Sequence, residues 1–165
     1  MFKDITPLFL DPAALREAVD ALAAYARERD IEYVVSAEAR GFVLGAAVAA
    51  AVGAGFILAR KAGKLPREVA SVEYQLEYGV DALEVHSDSI RDGARILVHD
   101  DLLATGGTAA ALCRLVEQAG GVVAGCAFVI ELEFLKGRER LAGYDVHSLI
   151  RYSEDRPGIS GGPEA

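Results

Sequence analysis

The sequence predicts an α/β fold built on a central, mostly parallel sheet flanked by helices. Strand-length apolar segments alternate with helix-length segments through most of the chain. The strand segments, such as Phe56 to Ala59 and Val122 to Leu132, are near-continuous apolar runs, the mark of strands covered on both faces. Glycines such as Gly53, Gly55, Gly120 and Gly121 fall where helical segments should stop.

Taken in order, Asp11 and Pro12 supply an N-cap acceptor and a first-turn proline. The helix expected over Ala13 to Arg29 carries Leu15, Val19, Leu22 and Ala26 at helical spacing. Ile31 to Val35 reads as a strand, Ser36 to Gly41 as a sharp connection, and Phe42 to Val52 as a buried, Ala-rich helix. After the strand Phe56 to Ala59, the segment Arg60 to Val69 is basic and poor in apolar residues, so a mobile loop is expected. Tyr74 to Tyr78 and Ala82 to His86 flank Gly79 as a hairpin-like excursion. Arg95 to Val98 is a strand, Asp100 to Gly107 a loop, and Thr108 to Ala119 a helix. The strand Val122 to Leu132, a short charged helix over Leu135 to Leu141 and a last strand over Val146 to Tyr152 follow. Residues 1–152 are expected to form one domain, and 153–165, rich in Gly and Pro, a flexible tail.

Of 165 residues, 52% are hydrophobic, enough for a substantial core and contrary to the composition of disordered chains. The net charge of −8 argues against general binding to nucleic acid or anionic membrane, so any site for an anion must be locally basic. Two cysteines, Cys113 and Cys126, lie in apolar surroundings, which disfavours a disulfide scaffold and suits a reducing cytoplasm. With three scattered histidines there is no soft metal-ligand set. No apolar run reaches the ~20 residues of a membrane span, and no cleavable leader is expected before Phe2.

The stretch richest in chemistry runs from Ile96 to Thr108. An apolar strand leads into Asp100 and Asp101, then Ala104-Thr105-Gly106-Gly107-Thr108, then a helix. Ligands of open α/β sheets bind at the C-terminal ends of strands. Two glycines allow a tight turn whose amides, with the Thr105 and Thr108 hydroxyls, form an anion cradle suited to a phosphate monoester. Asp100 and Asp101 suit sugar hydroxyls or Mg²⁺, so together these groups indicate a phosphorylated sugar. Alone, the glycine pair would read as a turn with capping aspartates.

This stretch resembles the signature of type I phosphoribosyltransferases for 5-phosphoribosyl 1-pyrophosphate. Five further segments narrow the likeness to the adenine phosphoribosyltransferase family: Phe2 to Leu8, Glu38 to Phe42, Arg60 to Pro66, Leu76 to Gly79 and Leu135 to Glu139. The likeness runs from Phe2 to about Tyr152. It implies the type I fold with a flexible lid over residues 61–78, and transfer of phosphoribose to N9 of adenine. Mg²⁺ as cofactor and a homodimer are also implied.

By the same resemblance, Glu38, Ala39 and Arg40 belong to a pyrophosphate loop with a cis peptide between Glu38 and Ala39, and Lys64 is a pyrophosphate ligand. On sequence alone the loop equally suits a surface turn. Arg60 and Lys61 resemble residues near the subunit interface. Glu77 matches the proton-transfer glutamate directed at N7 of adenine, although by itself it reads as an exposed strand carboxylate. Phe2, Lys3 and Leu132 match the adenine pocket; unaided, Phe2 and Leu132 read as core. Two features depart from the pattern. The N-terminal hood over the base is expected to be reduced, since the chain starts at Met1, and His99 stands where the strand is normally aliphatic. His99 reads as a satisfied core histidine or one coupled to Asp100. Transfer to another purine, or a non-catalytic regulator that binds the sugar donor, are the alternatives.

Overall fold

The computed structural model describes residues 4–75 and 79–153. The expectations for Phe2, Lys3, Glu77, Tyr78 and the tail beyond Ser153 lie outside them. Four helices are described: α1 (Thr6–Leu10), α2 (Pro12–Arg27), α3 (Arg40–Val52) and α4 (Gly107–Gln118). Seven strands are β1 (Tyr33–Ala37), β2 (Gly55–Lys61), β3 (Val69–Gln75), β4 (Val80–His86), β5 (Arg95–Leu103), β6 (Val122–Leu132) and β7 (Val146–Tyr152). They form one sheet in the order β3-β4-β2-β1-β5-β6-β7. The strands from β2 to β7 along the order β2-β1-β5-β6-β7 are parallel, while β4 runs antiparallel to β2 and β3. The sheet is therefore mostly parallel, with the hairpin excursion attached at one edge.

Each face of the sheet buries its own apolar layer. Leu112, Leu115 and Val116 of α4 pack with Ile96, Val98 and Phe128 on one side. Leu22 and Ala26 of α2 and Leu44 and Val48 of α3 pack with Val34, Leu97 and Val129 on the other. Asp11 caps α2 as expected: its Oδ1 accepts from the Ala13 and Ala14 amides at 2.9 and 3.2 Å.

Several boundaries differ from expectation. β1 extends through Ser36 and Ala37 because β2 and β5 hold both its edges, at Ser36↔Leu58 and Ser36↔His99. β5 continues through both aspartates to Leu103, since the apolar run of β6 prolongs the ladder at Asp100↔Phe128, Leu102↔Ile130 and Leu103↔Glu131. α3 starts two residues early and is buried on one face only; Val43, Ala46 and Ala50 are exposed. Gly41 and Gly45, one turn apart, let α3 close onto β1: a Cβ at Gly45 would collide with Ser36 Oγ. The short charged helix is instead two 3₁₀ turns, Glu133–Leu135 and Gly137–Leu141, separated where Lys136 adopts φ +55°. α1 has no counterpart among the expected elements. Its first turn holds Pro7, and Asp4 Oδ1 accepts from the Thr6 amide just before it at 2.9 Å.

Candidate active site

β1 and β5 are neighbours and parallel, so the loops after them leave the same edge of the sheet side by side. The sheet reverses direction of winding there: from β1 the chain goes one way to β2 and the other way, after the hairpin, to β5. That is where open α/β sheets bind ligands. The first loop carries the cis peptide between Glu38 and Ala39 and leads into Arg40 at the start of α3. The second leads from Leu103 into α4 through Gly106 at φ +80°.

The start of α3 is tied directly to the end of β5. Arg40 Nε lies 2.8 Å from Asp101 Oδ2, and Asp101 is only 5% exposed. Asp100 lines a small concavity of about 80 Å³ together with Ala104, Thr105, Gly106, Gly107 and Thr108. The residues of the expected cradle thus line a recess beside the first turn of α4. Asp100 Oδ1 accepts from the Asp101 amide at 2.9 Å. Burial, then the charge of Asp101, push the Asp100 carboxyl well above the usual carboxylate range. Donor hydroxyls or a cation placed before it would favour its ionised form.

Glu38 faces the basic segment, whose first two residues, Arg60 and Lys61, end β2 paired to β4 and do not open the expected loop. It accepts from the Lys61 amide at 2.6 Å and pairs with Arg60 at 3.4 Å. The Lys61 amide bond, then Arg60 against opposing burial, hold its carboxyl below the usual range. Lys61 pairs with Asp81 at 3.1 Å, and Arg67 with Asp88 at 2.5 Å. Lys64 is exposed, with no carboxylate in contact among the described residues. Of the cations in this loop it is the one most available to an incoming polyanion.

His99 is fully buried between β1 and β6, and its Nδ1–H donates to the Ala127 carbonyl at 2.9 Å. Burial pushes its pKa down to about 4, so it is a neutral core histidine. Leu132, at the end of β6, is 3% exposed and packs with Ile5 and Ile130. Cys113 and Cys126 are buried free thiols with sulfurs 3.6 Å apart.

The structure adds a wall to the cradle that sequence reasoning missed. A Cβ on Gly106 would stand 2.5 Å from the Gly137 carbonyl oxygen, and one on Gly137 would strike the Ala104 carbonyl. The 3₁₀ turn at Gly137 thus packs backbone to backbone against the cradle. Arg138 fixes that turn, bonding both carboxylate oxygens of buried Glu131 at 2.6 and 2.8 Å and the Val146 carbonyl at 2.8 Å. The available signal was Gly137 followed by a cation, close after the acid that ends an apolar strand.

Comparison with known proteins identifies the family. Residues 9–152 match the phosphoribosyl transferase domain. The chain is 63% identical over 155 residues to the adenine phosphoribosyltransferase of Rubrobacter xylanophilus, covering 93% of this chain and 84% of that protein. The crystal structure of adenine phosphoribosyltransferase from Thermoanaerobacter pseudethanolicus superposes with a TM-score of 0.89 at 48% identity, over 92% of this chain and 88% of that one. The Saccharomyces cerevisiae enzyme, solved with an imino-alditol bisphosphate and adenine, gives 0.85 at 40% identity, over 90% and 86%. With a family domain across 9–152 and such identity over nearly the full length, the chain belongs to the phosphoribosyltransferase family and, within it, to the adenine phosphoribosyltransferases.

Proposed function

We propose that this protein transfers the 5-phosphoribosyl group from 5-phosphoribosyl 1-pyrophosphate to N9 of adenine, giving AMP and pyrophosphate in purine salvage. The observation that carries the reading is the meeting of three parts at one sheet edge. These are the phosphate cradle, the acid pair and the Glu38-Ala39-Arg40 loop, tied by the Arg40–Asp101 bond of 2.8 Å. The bond from C1′ to the pyrophosphate oxygen breaks, the bond from C1′ to N9 forms, and N9 gives up its proton. C1′ carries oxocarbenium character in between, so the protein's task is placement and charge stabilisation.

In this scheme the Ala104 to Thr108 amides and hydroxyls hold the 5′-phosphate. Asp100 and Asp101 take the ribose hydroxyls. Arg40, the Glu38–Ala39 loop and Lys64 receive the pyrophosphate. Glu77 shares a proton with N7 of adenine, Leu132 underlies the base, and Phe2 and Lys3 close over it. Closure of the 61–78 excursion excludes water and suppresses hydrolysis of the donor.

The donor set fits Mg²⁺. Asp100 and Asp101 offer hard oxygens, and among the described residues no three metal-ligating side chains cluster. The ion would then be held mainly by pyrophosphate, ribose and water. When bound, it would neutralise charge on the leaving group.

A homodimer is part of the proposal. Leu58 lies on the same face of β2 as Phe56, which packs edge-on against Phe42 of α3. Leu58, close in sequence to Arg60 and Lys61, is 46% exposed, and Val43, next in sequence to Phe42, is 48% exposed. Apolar surface beside a binding loop suits a subunit contact that completes the site. No described helix is long and apolar enough to cross a membrane, and two buried free thiols suit the cytoplasm.

The test is product formation from the sugar donor and Mg²⁺ with adenine, hypoxanthine, guanine or orotate, alongside light scattering. AMP formed from adenine well ahead of the other products is expected. No product from adenine with folded protein refutes the reading.

A further inference from the structure

Two cavities of about 360 and 440 Å³ flank the first turn of α4, on the side facing β3. Both are lined by Gly107, Gln75 and Arg140, and the larger also reaches Thr105 and Thr108 of the cradle. Arg140 Nη1 lies 3.5 Å from where a Cβ on Gly107 would sit. The guanidinium therefore stands beside the cradle.

Its place is set by the backbone around it. Gly137 packs on Ala104 and Gly106, Arg138 is locked onto Glu131, and Leu141 is buried at the far end of the turn. Residue 140 is held between two anchored neighbours and faces outward. Its charge is not consumed locally. Arg138 and Arg151 pair with Glu131, whereas Arg140 contacts no carboxylate among the described residues. In a chain of net charge −8, an arginine in contact with no acid among the described residues, beside an anion recess, needs an explanation. The cradle itself offers only amides and hydroxyls, which are neutral donors, whereas a phosphate monoester carries close to two charges near neutral pH. Arginine's planar fork can give two parallel bonds to such a group.

We propose that Arg140 is a further ligand of the substrate's 5′-phosphate, supplying the positive charge that the cradle's amides and hydroxyls lack. The assignment rests on the function proposed above and names one more residue of that site. It places Arg140 at the monoester end of the donor, away from the pyrophosphate loop.

Calorimetry with AMP, ribose 5-phosphate and pyrophosphate tests it on wild type, Arg140→Gln, Arg140→Lys and Arg114→Gln, each checked for folding by circular dichroism. Arg114 lines the neighbouring cavity but donates to the Glu73 carbonyl at 3.3 Å, so it controls for loss of one positive charge. Arg140→Gln is expected to weaken AMP and ribose 5-phosphate about ten- to a hundredfold, the scale of one charge-assisted interaction. Pyrophosphate affinity should stay close to wild type, Arg140→Lys should recover much of the loss, and Arg114→Gln should behave as wild type. Unchanged AMP affinity in folded Arg140→Gln, or an equal loss for pyrophosphate, or an equal loss in Arg114→Gln, overturns the assignment while leaving the enzyme's function intact. A wild type that binds neither AMP nor ribose 5-phosphate overturns the function itself, and this assignment with it.

Discussion

Replacing Gly106 by Ala separates two costs that are usually confounded. Gly106 has φ +80°, and a left-handed backbone costs an L residue ~1–2 kcal/mol. The added Cβ would also lie 2.5 Å from the Gly137 oxygen, 3.1 Å from its carbonyl carbon and 3.2 Å from its Cα. These are backbone atoms of an anchored turn, so relief requires moving the turn or the cradle. Such overpacking costs roughly 1–3 kcal/mol. Gly53 and Gly143 supply the reference. They have φ +72° and +95° with nothing within 4 Å of the new methyl, so Gly53→Ala and Gly143→Ala bear the conformational cost alone.

Urea denaturation should therefore place Gly106→Ala below both references by about 1–3 kcal/mol. At ~2–4 °C per kcal/mol for a chain of this size, that is about 2–12 °C in Tm. KM for the sugar donor should rise in Gly106→Ala and stay near wild type in the references. Gly107→Ala should share the loss in donor binding but not the loss in stability. Its Cβ would meet Arg140 Nη1 at 3.5 Å, the Gln75 carbonyl at 3.6 Å and Thr105 Oγ1 at 4.0 Å, which is ordinary contact. Alanine also favours the helix by up to ~1 kcal/mol, yet the methyl intrudes among groups proposed to surround the phosphate. Stability should hold while donor affinity falls. If Gly106→Ala is as stable as Gly143→Ala, or Gly107→Ala unfolds early with donor affinity intact, the backbone contact between Gly106 and Gly137 does not shape the cradle.

Three further outcomes are expected. Glu77→Gln should lower kcat about 10²–10⁴-fold in steady-state assays while the protein remains folded, the usual scale for losing a proton-transfer group; wild-type turnover would remove Glu77 from the mechanism. Burial opposes ionisation of Glu131, but the Arg138 bonds and the Arg138 and Arg151 charges outweigh it and hold its carboxyl below the usual range. The stability this gives is present above the ordinary value of about 4.3 and is lost as pH falls through the lowered folded value, so Glu131→Gln should flatten the acid limb of Tm against pH. An acid limb identical to wild type would deny the pair that role. Cys113 and Cys126 are both fully buried, so Ellman's reagent should label neither thiol in native protein and both after unfolding; rapid native labelling would show an opening of the α4–β6 contact.

What could be read in advance followed from short-range chemistry. The run from Ile96 to Thr108 announced strand, acids, tight turn and helix because each step depends on neighbours in sequence. Asp11-Pro12 announced the start of α2 for the same reason. Structure departs from local expectation where distant strands decide. Nothing local keeps Asp100 and Asp101 in a strand; the ladder to Phe128 and Ile130 does. Nothing local keeps the polar Ser36 in the sheet; β2 and β5 do. The contact of Gly106 with Gly137 joins segments far apart in sequence and leaves no periodic trace.

Charge placement shows why the cations of such a site are hard to rank from sequence. Arg40 is engaged by Asp101, Arg60 by Glu38, Lys61 by Asp81 and Arg138 by Glu131. A basic residue held this way sets the position of a carboxylate or a loop before it meets any substrate. Lys64 and Arg140 are different: both are exposed, and neither contacts a carboxylate among the described residues. Lys64 lies on the side of the Glu38 loop, its carbonyl 3.5 Å from Arg60 Nη1, and Arg140 lies beside Gly107. A donor with a monoester at one end and pyrophosphate at the other would thus meet one uncommitted cation at each end. Neutralising either should weaken binding of the corresponding phosphate and spare the other. Equal effects of Lys64→Gln and Arg140→Gln on pyrophosphate and AMP would mean that the two charges act only as a general positive field.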